Sequence, residues 1–126
     1  MRRLPFNNLV GIRVDRVHRD GVTISCPFGQ HLTNIHGTVH GGVSATLADV
    51  AGGFSTMAHY GLGSPITTID LKINYLAPMA GPRVRARGRI VKAGKTLCVI
   101  QVEIHGGKAG PGAVATVTYM ILPPKN

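Results

Sequence analysis

"NIHGTVHGGVSATLADVAGG", residues 34–53, is the stretch in which the chain gives up strand-like alternation. From Val43 to about Tyr60, apolar side chains recur at helical spacing: Val43, Leu47, Val50, Phe54, Met57 and Ala58 fall on one arc at 100° per residue. That stripe predicts the chain's only convincing helix, with this arc turned toward a sheet. The opposite arc holds Gly42, Ala45, Thr46, Gly52, Gly53, Thr56 and a lone carboxylate, Asp49. Glycine inside a helix costs about 1 kcal/mol relative to alanine. Two in succession, Gly52 and Gly53, therefore imply close approach by another helix, another subunit or a ligand.

Outward from the helix, alternation of period two returns on both sides. Leu9 to Val17 and Gly21 to Cys26 read as strands joined at Arg19-Asp20-Gly21, where Asp-Gly is a turn signal, and Pro27 closes the second. Ile66 to Leu76, Arg83 to Lys92, Thr96 to His105 and Ala113 to Leu122 read as four more, separated by Gly- and Pro-rich connections. The order β-β-α-β-β-β-β predicts an α+β fold, an antiparallel sheet wrapped around one long central helix. With 126 residues and 44% hydrophobic content, residues 1–126 are expected to form one domain.

No apolar run reaches the roughly 18 to 20 residues that span a bilayer, and residues 1–8 lack the apolar core of a secretory signal. A soluble, cytoplasmic protein without a membrane partner is the expectation. Cys26 and Cys98 lie in strand-like patterns without metal or redox spacing and read as buried thiols. Lys and Arg number 14 against 5 Asp and Glu, a formal charge of +9, which favours an anionic partner. Aromatics are only 5%, with no Trp, so the stacking platform of a nucleic-acid binder is lacking and a small phosphorylated ligand fits better. Arg83, Arg85, Arg87 and Arg89 alternate along one strand, with Lys92 and Lys95 near the following turn. They form either a solvated face or a phosphate-binding stripe.

Asp49 reads either as a hydrogen-bonded acid at a helix contact or as a catalytic base. Gly41 and Gly42 open the helix, where backbone N–H groups lack intrahelical partners and the helix dipole is positive. Those donors can polarise a carbonyl. Asp49 lies two turns further on, so one substrate reached by both is easiest if they come from different chains. The tripeptide His40-Gly41-Gly42 is weak by itself, since His105-Gly106-Gly107 repeats it in a loop. His31, His36 and His40 lack a completing acid or thiolate, so no metal is expected. Asp70, two residues from Thr68, is expected on the same strand face. Tyr60, Leu62 and Met79 are candidates to line a pocket.

Asn34-x-x-Gly37-Thr38-Val39-His40-Gly41-Gly42-Val43-x-Ala45-Thr46-Leu47-x-Asp49 resembles the signature of the hotdog-fold acyl-CoA thioesterases of the phenylacetate-pathway type. Thr68-Ile69-Asp70-Leu71-Lys72-Ile73-Asn74-Tyr75-Leu76-x-Pro78 resembles that family's next strand, and Ala93-Gly94-Lys95-Thr96-Leu97 its later turn. The likeness runs from about Leu9 to Leu122. It implies a hotdog fold, with protomers pairing their sheets edge to edge into a dimer at least, often a tetramer, and active sites between subunits. It implies a hydrolase that splits an aromatic or medium-chain acyl-CoA into acid and CoA with no cofactor, CoA being part of the substrate. It makes Asp49 the general base or nucleophile, facing Gly41 and Asn34 of the other subunit, aided by His40. Thr68 falls where a hydroxyl positions water. Gly42, Thr46 and Gly53 would border the substrate, and Arg89, Lys92 and Lys95 would meet the CoA phosphates. A non-catalytic acyl-CoA-binding module and a basic nucleic-acid-binding protein remain the alternatives.

Overall fold

The computed structural model describes residues 4–107 and 110–124. A short helix α1 (Pro5–Val10) precedes strands β1 (Arg13–His18) and β2 (Gly21–Pro27). A 3-10 turn (Gln30–Leu32) leads to the long helix α2 (Gly41–Tyr60), followed by β3 (Ile66–Tyr75), β4 (Arg83–Ala93), β5 (Leu97–Gly106) and β6 (Ala113–Ile121). The strands form one antiparallel sheet in the order β1-β2-β4-β5-β6-β3. Helix α2 packs against β2, β4, β5, β6 and β3, so the sheet curls around it as the element order predicts. Residues 108 and 109 of the β5–β6 loop lie outside the described residues, as do residues 1–3 and 125–126.

One expected strand begins too early. Leu9 and Val10 belong to α1, a second helix that alternation does not reveal. Pro5 starts it with a preset φ, and Gly11 ends it in the left-handed conformation at φ +84°, its N–H bonded to the carbonyls of Asn7 and Asn8. β1 then begins at Arg13.

A larger correction concerns which face of α2 meets the sheet. The buried side is Ser44, Leu47, Ala48, Ala51, Gly52, Gly53, Ser55 and Thr56. Of the apolar arc expected there, only Leu47 is buried; Val43, Val50, Phe54 and Met57 are half-buried and Ala58 is exposed. The reason is distance. A strongly curled sheet brings its backbone near the helix, and apart from Leu47 the side chains that fit between are small. A Cβ on Gly52 would sit 3.2 Å from the Val117 side chain, and one on Gly88 of β4 2.6 Å from Ser55 Oγ. What approaches the helix glycines within this chain is its own sheet, the Val117 and Tyr119 side chains of β6. Ser55 uses that proximity: its Oγ accepts the Val22 N–H at 3.2 Å. Leu47, Ile24, Val84, Ile100, Ile104 and Val117 are fully buried around this contact, each worth about 1.5–3 kcal/mol of transfer free energy.

The inward residues of β4 are Val84, Ala86 and Gly88, so the four arginines point to the outer face. Arg87 donates to Asp20 Oδ1 at 2.5 Å and to the Gly88 carbonyl, while Arg83 donates to Ser25 Oγ at 3.0 and 3.1 Å. Cys26 and Cys98 are buried free thiols, and burial pushes both above the ordinary thiol range. Among the described residues no helix is long and apolar enough to cross a membrane.

Candidate active site

Asp49 is held by two strands. It sits on α2 at the border of the buried face, and its Oδ1 accepts hydrogen bonds from Thr68 Oγ1 of β3 at 2.7 Å and Tyr119 OH of β6 at 2.8 Å. Thr68 and Tyr119 are cross-strand partners on the inward face. Oδ2 has no protein partner among the described residues. No Lys, Arg or His pairs with the carboxylate there either, and the side-chain donors it meets are the two hydroxyls. A half-buried carboxylate with one oxygen anchored and one open is arranged to accept a proton or attack a carbonyl.

Thr68 is brought to Asp49, but Asp70 is not. A bulge between Thr68 and Asp70 makes Asp70 pair with Thr118 while Thr68 pairs with Tyr119. The extra residue, Ile69, reverses the inside-outside alternation, so Asp70 lies on the outer face, contrary to the expectation that it shares the face of Thr68.

The start of α2 forms a second cluster. His40 is the N-cap, its Nδ1 accepting the Gly42 N–H at 2.8 Å, which leaves its other ring nitrogen to carry the proton when neutral. Gly42 is therefore occupied as a donor, whereas the Gly41 N–H has no acceptor among the described residues. Tyr75 OH donates to the Gly41 carbonyl at 2.8 Å, and a Cβ at Gly41 would lie 3.3 Å from the Tyr75 ring. Asn34 organises the preceding loop: Oδ1 accepts the N–H groups of His36 and Thr38, and Nδ2 donates to Thr38 Oγ1 at 2.9 Å. Asn34, Gly41, Ser44, Tyr75 and Met79 line one cavity of about 480 Å³. Asp49 is not among its walls. Eight residues of helix, roughly 12 Å of rise, separate Gly41 from Asp49 in the same chain.

The other anticipated positions scatter. Thr46 Oγ1 donates back to the Gly42 carbonyl at 2.9 Å. Gly53 is buried where a Cβ would come within 2.8 Å of Tyr119 OH. It also borders an apolar cavity of about 190 Å³ with Leu4, Val50, Phe54, Met57, Ile66 and Tyr119. Arg89 lies in an outer-face groove with Lys72 and Arg87, whereas Lys92 and Lys95 are exposed, beyond the bulge in β4 and in the β4–β5 turn. Tyr60, Leu62 and Met79 do not share a pocket: Tyr60 OH donates to the Gly94 carbonyl, Leu62 is 93% exposed, and Met79 lines the Asn34 cavity. No group of three His, Cys, Asp or Glu able to hold a metal is found among the described residues.

Sequence reading missed Tyr119 and Tyr75. A signal for Tyr119 was present: Ala113, Ala115 and Val117 precede it at alternate, inward positions, and the paired glycines of α2 mark where a large side chain comes close.

Residues 36–113 match the thioesterase superfamily. The chain is 29% identical over 133 aligned residues to the medium/long-chain acyl-CoA thioesterase YigI of Escherichia coli, covering 94% of this chain and 86% of that protein. Its backbone superposes on a thioesterase family protein from Silicibacter pomeroyi with a TM-score of 0.90 at 30% identity, covering 96% of this chain and 91% of the other. A mutant of the phenylacetic acid degradation protein PaaI from Thermus thermophilus gives a TM-score of 0.82 at 25% identity, covering 94% and 99%.

Proposed function

The chain belongs to the thioesterase superfamily, and from that premise we propose that it hydrolyses acyl-CoA thioesters with Asp49 as the reacting carboxylate, in sites shared by two subunits. The observation that carries this reading is the division of the machinery: Asp49 Oδ2 is open on one part of α2, and the unpaired Gly41 N–H lines a cavity on another. A thioester carbonyl needs both within reach. A second copy supplies the missing half if the copies meet along β3, the sheet edge beside Asp49, where ten residues present an open edge with Ile69 49% and Tyr75 55% exposed.

In such a site the Gly41 N–H, assisted by the helix dipole and the free N–H of the Asn34 amide, receives the thioester oxygen as it gains negative charge. Asp49 Oδ2 takes a proton from water while the water oxygen bonds to the carbonyl carbon. Collapse of the tetrahedral intermediate breaks the C–S bond, and the proton held by Asp49 passes to the leaving CoA thiolate. Direct attack by Oδ2 would instead expel the CoA thiolate and form an acyl-aspartyl anhydride, whose hydrolysis at the Asp49 carbonyl in ¹⁸O-labelled water would leave label in Asp49 after one turnover. For the acyl group, the apolar cavity beside Gly53 and Tyr119 offers a wall of aliphatic and aromatic side chains next to the carboxylate. This supports a medium-chain or aromatic acyl group, and YigI is a relative with medium/long-chain activity. For the nucleotide, Arg89, Lys92 and Lys95 supply exposed cations for phosphates.

The shared-site reading is tested by mixing two inactive variants, Asp49→Asn and Gly41→Pro, after unfolding and co-refolding. Regained thiol release from an acyl-CoA, absent from either variant alone, is the expected result. A mixture as inactive as its components, with mixed oligomers demonstrated by mass spectrometry, would refute it.

A further inference from the structure

We propose that Tyr119 is a positioning residue for thioester hydrolysis: its buried hydroxyl, with that of Thr68, holds Asp49 Oδ1 so that Oδ2 faces the reacting group. The inference rests on Asp49 being the reacting carboxylate, and it assigns to β6 a part in the chemistry that the helix motif does not contain.

Tyr119 OH lies 2.8 Å from both the carbonyl oxygen and Oδ1 of Asp49. A phenol has one proton to give. The carbonyl, inside α2, already faces the Gly53 N–H in the helical ladder, whereas the carboxylate is charged and takes the stronger hydrogen bond. The proton therefore goes to Oδ1. Thr68 Oγ1 donates to the same oxygen at 2.7 Å. Two donors on one oxygen fix the plane of the carboxylate and leave the lone pairs of Oδ2 as its open basic face.

The surroundings keep this arrangement in place. Tyr119 is 7% exposed, and the absence of a side chain at Gly53 makes the room its hydroxyl occupies, since a Cβ there would meet that oxygen at 2.8 Å. Burial, with the Asp49 charge adding to it, pushes the phenol above the ordinary tyrosine range, so it stays protonated and remains a donor at neutral pH. The groups reaching the carboxylate from the packed strands are Thr68 of β3 and Tyr119 of β6, and Tyr119 is the titratable one of the two.

A donor on a carboxylate stabilises its charged form, so removing the hydroxyl has a sign that loss of packing does not. Tyr119→Phe keeps the ring. The pH dependence of kcat/KM for a medium-chain acyl-CoA is measured for wild type, Tyr119→Phe and Asp49→Asn, with melting temperatures alongside. The expected result for Tyr119→Phe is kcat lowered about tenfold, KM within about twofold, and the acidic limb moved upward by about half a unit to one unit. Unchanged kcat and an unmoved acidic limb in Tyr119→Phe, with Asp49→Asn inactive, would overturn the role of Tyr119 and leave that of Asp49 standing. Activity retained in Asp49→Asn would overturn the reading beneath both. Should Tyr119→Phe fail to fold, 3-fluorotyrosine at position 119 keeps ring and hydroxyl and is the stronger donor. It moves the acidic limb downward if the proposal holds and leaves it in place if not.

Discussion

The two ends of the candidate site on α2 are built on opposite principles. At its start, from His40 to Thr46, the groups that matter are backbone: an N–H left open at Gly41, one closed by His40, and a loop tied down by Asn34. In its middle, from Asp49 to Gly53, what matters is a side chain gripped by two strands far away in sequence. The first half is local, made by residues within a few positions of one another. The second is non-local, made by a helix pressed against β3 and β6. On the function proposed above, one helix carries both the electrophile-polarising end and the reacting carboxylate, yet its own length keeps them apart.

The sharpest way to break this contrast is to neutralise the middle. Asp49→Asn preserves the size of the side chain and is expected to lower kcat by about a hundredfold or more, measured by thiol release, with little change in melting temperature. If it did not, the two ends would not be complementary halves of one site. Next in size is the start of the helix. Gly41→Pro removes a single N–H at the first helical position, where proline is tolerated, and the extended His40 backbone at φ −63°, ψ 137° suits a residue before proline. Turnover is expected to fall about a hundredfold while circular dichroism is unchanged. An undiminished rate would remove Gly41 from the site.

A smaller effect sharpens the picture of the middle. Met57→Trp fills the apolar cavity beside Gly53 and Tyr119 and is expected to cut kcat/KM for long acyl chains by about tenfold relative to acetyl-CoA. A uniform change across chain lengths would place the acyl group elsewhere. The smallest expected effect leaves both halves untouched. Arg87 holds the Asp20 carboxyl below the ordinary carboxylate range, first through its hydrogen bond and then through its charge. The stabilisation is present above the unfolded pKa of about 4 and is lost as pH falls through the lower, folded value. In Asp20→Asn, that part of the acid-induced loss of stability below about pH 4 disappears from denaturant titrations, while activity at neutral pH is unchanged.

Local signals are what made the larger part of this molecule readable. Asp20-Gly21 marked a turn, Pro82 and Gly94 marked breaks, and the loss of alternation at Val43 marked the helix. The pattern Asn34 to Asp49 placed Asn34, His40, Gly41 and Asp49 in one stretch, and the structure sets Asn34 and Gly41 in one cavity. The same local logic mistook Leu9 and Val10 for strand, because a six-residue helix is too short to show a period.

What the sequence determined by itself is the set of elements, their order and the isolation of one acid in a helix of small residues, since each follows from bonds and burial preferences within a few positions. What only the tertiary structure decided is which side of each element does what. The curl of the sheet set the small-residue face of α2, with Leu47, deepest against the strands and left Val43, Val50 and Phe54 of the bulkier apolar arc packed at the margin of the core. A bulge at Ile69 sent Thr68 inward and Asp70 outward. Gly53 and Tyr119, 66 residues apart, fit as a gap and the hydroxyl that fills it, and that match brings the Tyr119 hydroxyl to Asp49 Oδ1.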